Sequence, residues 1–138
     1  MLLLRHGSAG DREQWTGDDE LRPLDEKGER QAAALVELLE PFRIERILTS
    51  PAVRCVQTVE PIARARGVQI EELVQLSEDW QGTAGATVVR ELASEDIVVC
   101  GHGGLEESAL DDPPRWKKGS VFVLDADLRI VETLKTRV

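Results

Sequence analysis

The 138-residue chain contains two histidines, His6 and His102. Each follows a short apolar run and each precedes a glycine, in Leu4-Arg5-His6-Gly7 and Cys100-Gly101-His102-Gly103. A neutral imidazole is a competent nucleophile toward phosphorus near neutral pH. Phosphoryl transfer also needs positive groups around the equatorial oxygens. Arg5 adjoins His6. Arg54 falls in the first turn of a helix expected to start at Ser50-Pro51, and a helix N-terminus favours an anion. A guanidinium can hold two phosphate oxygens at once, which an ammonium cannot. Gly7 and Gly103 permit a sharp turn and a close approach of ligand to backbone. Arg22 and Ser8, in the loop after His6, are further candidates for phosphate contact.

A single histidine at a strand end is most often structural, and a helix arginine is most often solvated or paired at the surface. Two glycine-flanked histidines together with an arginine after Ser-Pro favour the chemical reading. Other chemistries lack their residues. Neither Cys55 nor Cys100 is followed by an arginine six positions later, so no cysteine-phosphatase loop is present. Both cysteines read as reduced packing residues. Asp18-Asp19-Glu20 reads as a solvated loop rather than a cation site, and no metal or cofactor is expected. Trp15, Trp80 and Trp116 fall in expected loops, at the cleft mouth or against core edges.

Several elements must position these groups. Met1–Leu4 reads as a strand buried on both faces. Residues 7–24 read as a loop. Asp25 caps a helix to about Glu40, with Ala32, Leu35, Val36 and Leu39 as its apolar stripe. Residues 44–49 form a second strand. The next helix has Ser50 as N-cap and Pro51 at its first position, runs toward Arg66, stops at Gly67, and should kink or divide at Pro61. Residues 68–76 give a third strand, 83–94 a short helix and 96–101 a buried fourth strand. A brief helix ends near Leu110, and strands at 120–125 and 128–134 complete the chain. Alternating strands and helices predict an α/β fold: a three-layer α/β/α sandwich around a mostly parallel six-stranded sheet, in one domain over residues 1–138. Ligands in such folds bind beyond the carboxyl ends of the strands, where both histidines are expected.

A net charge of −9 and a pI near 4.7 argue against nucleic-acid binding. A few arginines in a cleft can still attract a small anion. No apolar run is long enough for a membrane span, and the apolar start is too short for a signal peptide. A cytoplasmic location follows as an expectation, while the oligomeric state is not specified.

Three segments together resemble the histidine phosphatase superfamily, which includes the cofactor-dependent phosphoglycerate mutases. They are Leu4-Arg5-His6-Gly7, then Leu48-Thr49-Ser50-Pro51 with Arg54 and Gln57-Thr58, then Gly101-His102-Gly103-Gly104. The resemblance runs from Leu2 to about Leu134. Asp18 to Leu24, Gly28 and Gln31-Ala32 are similar to the small phosphohistidine phosphatases. Arg54 to Pro61 and Lys118-Gly119-Ser120 are more similar to the phosphatase domain appended to some actinobacterial Nudix hydrolases, although no Nudix motif occurs here. The resemblance implies a phosphoglycerate mutase-like sheet with one antiparallel strand. It implies that His6 accepts the phosphoryl group, that Arg5, Arg54 and His102 bind its oxygens, and that no metal is needed. Many relatives use a glutamate after the third strand as proton donor. Glu78 is the matching candidate, with Asp79 and Asp11 as rivals.

The expected activity is hydrolysis of phosphomonoesters or of phosphohistidine on a protein. A mutase, or a phosphate-binding interaction module with little turnover, are the alternatives. The segment after His102 reaches Pro113 quickly and leaves little chain for a lid that would exclude water, which favours hydrolysis.

Overall fold

The computed structural model describes residues 1–138. Its strands are β1 (Leu2–Arg5), β2 (Arg46–Thr49), β3 (Ile70–Glu72), β4 (Ile97–Gly101), β5 (Val121–Leu124) and β6 (Ile130–Leu134). Its α-helices are α1 (Glu26–Leu38), α2 (Val53–Arg66), α3 (Ala86–Glu91) and α4 (Leu105–Ala109). The strands form one six-stranded sheet in the order β3-β2-β4-β1-β5-β6. The β3, β2, β4 and β1 strands run parallel, and β5 runs antiparallel to both β1 and β6, so β5 is the one reversed strand. The expected mostly parallel α/β sheet is therefore observed.

Alternation along the strands builds two cores. Leu2, Leu4, Ile47, Val98 and Cys100 face α1 and α2, where they meet Leu35, Leu39, Cys55, Val59 and Ile62. Leu3, Leu48, Ile97, Val99 and Phe122 face the opposite layer and pack with Leu76, Val89, Leu105 and Trp116. Trp116 is almost fully buried and stacks on Phe122 with ring centroids 6.0 Å apart. Trp15 and Trp80 are exposed. No helix is long and apolar enough to cross a membrane.

Local chemistry explains most boundaries. Asp25 caps α1 by accepting from the Gly28 backbone N–H at 2.8 Å, and Glu26 and Glu29 complement the helix dipole in its first turn. A β-carbon at Gly28 would lie 2.0 Å from the Ser8 carbonyl oxygen, so α1 can approach the loop after His6 only with glycine there. Gly67 ends α2 in the left-handed conformation at φ 64°.

Four expectations need correction. Ser50-Pro51 does not open α2. Residues 51–52 form a bend, and the helix starts at Val53 after Ala52, which makes no side-chain cap bond. The Ser50 hydroxyl is instead engaged by His102 and by the Ala52 N–H. Pro61 does not divide α2, which continues to Arg66 because Val59, Ile62 and Ala63 anchor both sides of it in the core. The third strand covers only Ile70–Glu72, after which a 3-10 turn at Val74–Leu76 carries Leu76 into the opposite core. The short helix expected over 83–94 is present as α3 but is confined to Ala86–Glu91, preceded by a π-type turn at Gln81–Gly85.

Candidate active site

Sheet register brings the chemistry together. Arg5 at the end of β1 lies opposite Gly101 of β4, and Thr49 at the end of β2 lies opposite Cys100. The His6 N–H donates to the Gly101 carbonyl at 3.2 Å, and the Ser50 N–H donates to the Cys100 carbonyl at 3.0 Å. These bonds place His6, Ser50 and His102 side by side beyond the carboxyl ends of three adjacent strands. The His6 and His102 rings meet edge to face with centroids 5.4 Å apart.

His6 is buried, and its Nδ1 lies 2.7 Å from the Gly7 carbonyl oxygen. A carbonyl can only accept, so Nδ1 carries the proton and Nε2 keeps its lone pair. Burial first, and then the neighbouring His102, Arg54 and Arg5 charges, lower the ring's pKa from 6.5 to about 3, against the opposing bond to Gly7. The neutral, singly protonated form is thus fixed across the physiological range. The loop holding it is tied down by the Gly7 N–H, which donates to Thr58 Oγ1 at 3.0 Å, while Thr58 itself donates to the Arg54 carbonyl.

His102 is held from all sides. Its backbone N–H donates to Gln81 Oε1 at 3.1 Å, and Gln81 Nε2 donates to the Gly103 carbonyl at 3.1 Å. Arg54 Nη2, which can only donate, lies 3.3 Å from His102 Nδ1. Nε2 therefore bears the proton of the neutral ring and donates to Ser50 Oγ at 2.9 Å. Cys55 Sγ lies 3.6 Å from the same nitrogen. Both cysteines are buried, unpaired thiols.

Arg54 is 1% exposed. Its Nη2 is shared among Asp19 Oδ2 at 3.1 Å, Glu78 Oε1 at 3.2 Å and His102, and its Nη1 donates to the Asp19 carbonyl at 2.8 Å. Arg5 donates from Nη1 to the Trp116 carbonyl at 2.7 Å and lies against Gly103, where a β-carbon would come within 2.9 Å of Nη2. The Nε–H groups of Arg5 and Arg54 are buried with no acceptor from the chain. Leaving such donors unmatched costs roughly 1–3 kcal/mol each, and an oxyanion is a partner that would recover it.

Above these groups lies a cleft of about 200 Å³ lined by Arg5, His6, Gly10, Arg12, Arg22, Glu78, His102, Gly103 and Lys118. No lining residue is apolar, and four are Arg or Lys. Arg22 is buried and aligned by Asp19 Oδ1 at 2.9 Å. Among the other expected residues, Gly103 lines the cleft, while Arg54 lies beneath it. Gly7 spends its N–H on Thr58. Ser8 lies aside, with its hydroxyl donating to Asp25 Oδ2 at 2.7 Å.

Glu78 lies at the cleft as a bound carboxylate. Arg12 Nη2 is 2.9 Å from both its oxygens, and Arg54 adds the contact at 3.2 Å. Partial burial pulls its pKa upward, but the Arg12 bond and the His102, Arg12 and Arg54 charges outweigh that and hold it below the usual value. Asp11 caps a 3-10 turn by accepting from the Glu13 N–H, and Asp79 is exposed, so neither rival lines the cleft. Sequence reasoning missed Arg12, Lys118 and the tethering by Gln81. Arg12 sits in an irregular segment with no motif or periodicity to single it out, and Lys118, although it opens the Lys118-Gly119-Ser120 resemblance, carries no local sign that it reaches the cleft. Gln81 opens a π-type turn that no local pattern announces.

A profile of the histidine phosphatase superfamily (branch 1) matches residues 1–95, more than half of the chain. The chain belongs to the histidine phosphatase superfamily. The fold of the chain is similar to that of the protein histidine phosphatase SixA solved with tungstate, at TM-score 0.76 and 21% identity over 97% of this chain and 95% of that one. It is also similar to a SixA-type structure from Agrobacterium tumefaciens, at TM-score 0.81 and 24% identity over 98% and 96% of the two chains. In sequence, the chain is 47% identical over 64 residues to an 8-oxo-(d)GTP phosphatase of Mycolicibacterium smegmatis. That match covers 46% of this chain and 20% of the relative, so the chain spans a fifth of the length of that protein.

Proposed function

We propose that the chain is a metal-independent phosphatase that passes a phosphoryl group to His6 Nε2 and then hydrolyses the phosphohistidine. The observation that carries this reading is the fixed tautomer of His6. Its Nδ1–H is committed to the Gly7 carbonyl, its Nε2 is unprotonated, and burial keeps the ring neutral. In the reaction the Nε2 lone pair forms the N–P bond as the bond to the leaving group breaks. Arg5, Arg54 and His102, grouped around His6, bind the equatorial oxygens and stabilise the charge that develops on them. Water then cleaves the N–P bond, releasing inorganic phosphate and returning His6 to its neutral form.

The ion pairs on Glu78 bear on the substrate. A carboxylate held by Arg12 and Arg54 is a poor proton donor near neutral pH. Leaving groups that depart with little help are therefore favoured. Those include weakly basic phosphomonoesters and phosphohistidine, whose imidazole can be protonated by solvent before it leaves. The likeness to a solved protein histidine phosphatase is in keeping with the second class. The mutase alternative is disfavoured because α4 is five residues long and the chain turns away at Pro113.

The test is turnover of p-nitrophenyl phosphate by the protein and by His6→Ala, with and without a chelator. Acid-labile, base-stable phosphate should be trapped on the protein and be absent from the variant. Equal turnover by His6→Ala, or chelator inhibition reversed by magnesium, would refute the mechanism.

A further inference from the structure

A second concavity of about 550 Å³ adjoins the phosphoryl cleft and shares Arg5 and Lys118 with it. Its cations are Arg5, Lys27, Arg115, Lys117, Lys118 and Lys135. These are six of the seventeen basic residues in a chain of net charge −9, and they include all four of its lysines. None of the six takes part in an ion pair, whereas Arg12, Arg22, Arg43, Arg46 and Arg54 all do. No aspartate or glutamate lines the groove, and one lining residue is apolar. Lysines spread at random over an acidic surface would acquire carboxylate neighbours. Here three separate parts of the chain, at the start of α1, before β5 and after β6, deliver unpaired ammonium groups to one place. Burial first, and then the Arg5 and Arg22 charges, lower the Lys118 pKa despite Asp25.

We propose that this groove binds further phosphate groups of the substrate, so that His6 takes the terminal phosphoryl group of a phosphate chain on a small molecule. This rests on the proposed phospho-His6 chemistry and deepens it. The N–P bond forms at His6 Nε2, the bridging P–O bond breaks, and its electron pair stays on the departing phosphate chain. That chain leaves as an oxyanion, so it needs no proton from Glu78, whose oxygens are already bound by Arg12 and Arg54. The groove ammonium groups stabilise the charge that develops on it. Water then releases the phosphoryl group from His6 as inorganic phosphate. A volume of about 550 Å³ suits a small molecule, and the nearly apolar-free lining suits phosphate rather than a stacked ring.

The experiment compares inorganic tripolyphosphate with p-nitrophenyl phosphate, which has a good leaving group but no second phosphate. The variant is Lys27→Ala/Lys117→Ala/Lys135→Ala, which changes three exposed side chains outside the phosphoryl cleft. Tripolyphosphate should show a KM roughly tenfold below that of p-nitrophenyl phosphate, as two or three partly screened charge-assisted bonds would give. The triple variant should remove that advantage while leaving p-nitrophenyl phosphate turnover within about twofold, and the lysine-to-arginine counterpart should retain it. Equal KM values in the wild type, or an equal loss on both substrates, would overturn the proposal. So would lysine dependence confined to an acidic phosphohistidine peptide, which would make the groove a protein-docking surface. Failure of the underlying chemistry is distinguishable, because His6→Ala would then hydrolyse p-nitrophenyl phosphate as fast as the wild type.

Discussion

Replacing His6 with asparagine should flatten the acid side of the stability curve. Burial above all lowers the His6 pKa to about 3 in the folded chain, where the residue is 5% exposed. In the unfolded chain it titrates near its ordinary value of 6.5. Below that value the unfolded state binds a proton that the folded state refuses. A depressed folded value therefore gives stability that is present above about pH 6.5 and is lost as pH falls toward about 3. The full difference is on the order of 5 kcal/mol, of which roughly 2 kcal/mol is lost between about pH 7 and about pH 5. In His6→Asn that contribution vanishes, while every other side chain is unchanged. Urea unfolding at matched pH values isolates the effect: the wild type should lose about 2 kcal/mol more than the variant over that range. Equal losses, or an NMR titration of His6 with its midpoint near 6.5, would refute the claim that burial keeps the His6 ring neutral.

Other perturbations follow from single contacts. Gly103→Ala places a β-carbon 2.9 Å from Arg5 Nη2, the far end of a flexible side chain. It should cut kcat/KM on p-nitrophenyl phosphate by roughly tenfold to a hundredfold while barely changing the urea midpoint. Gly28→Ala meets the Ser8 carbonyl, which is backbone, and should cost at least ~2 kcal/mol in urea unfolding. Ser50→Ala leaves His102 Nε2–H without its oxygen acceptor, and should cost ~1–2 kcal/mol of stability and lower kcat by about tenfold. Glu78→Gln should change p-nitrophenyl phosphate turnover by less than about threefold, because the carboxylate is ionised and the leaving group needs no acid. A loss confined to an alkyl phosphate would show that Glu78 nevertheless acts as the acid.

Much of this was legible in the chain. The apolar runs at 2–4, 47–48 and 97–99 gave three central strands, because residues buried on both faces must be continuously apolar. Capping at Asp25 and the stop at Gly67 were readable because they depend on neighbours a few residues away. Ser50-Pro51 misled because its hydroxyl serves His102, a partner 52 residues distant. The start of α2 was misplaced for that reason, although Arg54 still falls in its first turn. Pro61 leaves α2 undivided because helix propensity is weak beside the burial of Val59 and Ile62.

The sequence by itself singled out His6 as the proposed nucleophile, together with the second histidine and the two arginines, because glycine-flanked histidines at strand ends are local patterns. It also determined the α/β alternation that points them to one sheet edge. Only the tertiary structure decided the protonation of His6, since that depends on burial and on a carbonyl placed by the turn. It alone bound Glu78 to Arg12, from the loop after His6, and gathered four lysines from three parts of the chain beside the phosphoryl cleft. Charge and hydrogen-bond fields add over distances in space, and one-dimensional spacing carries no record of which distant side chains will be neighbours.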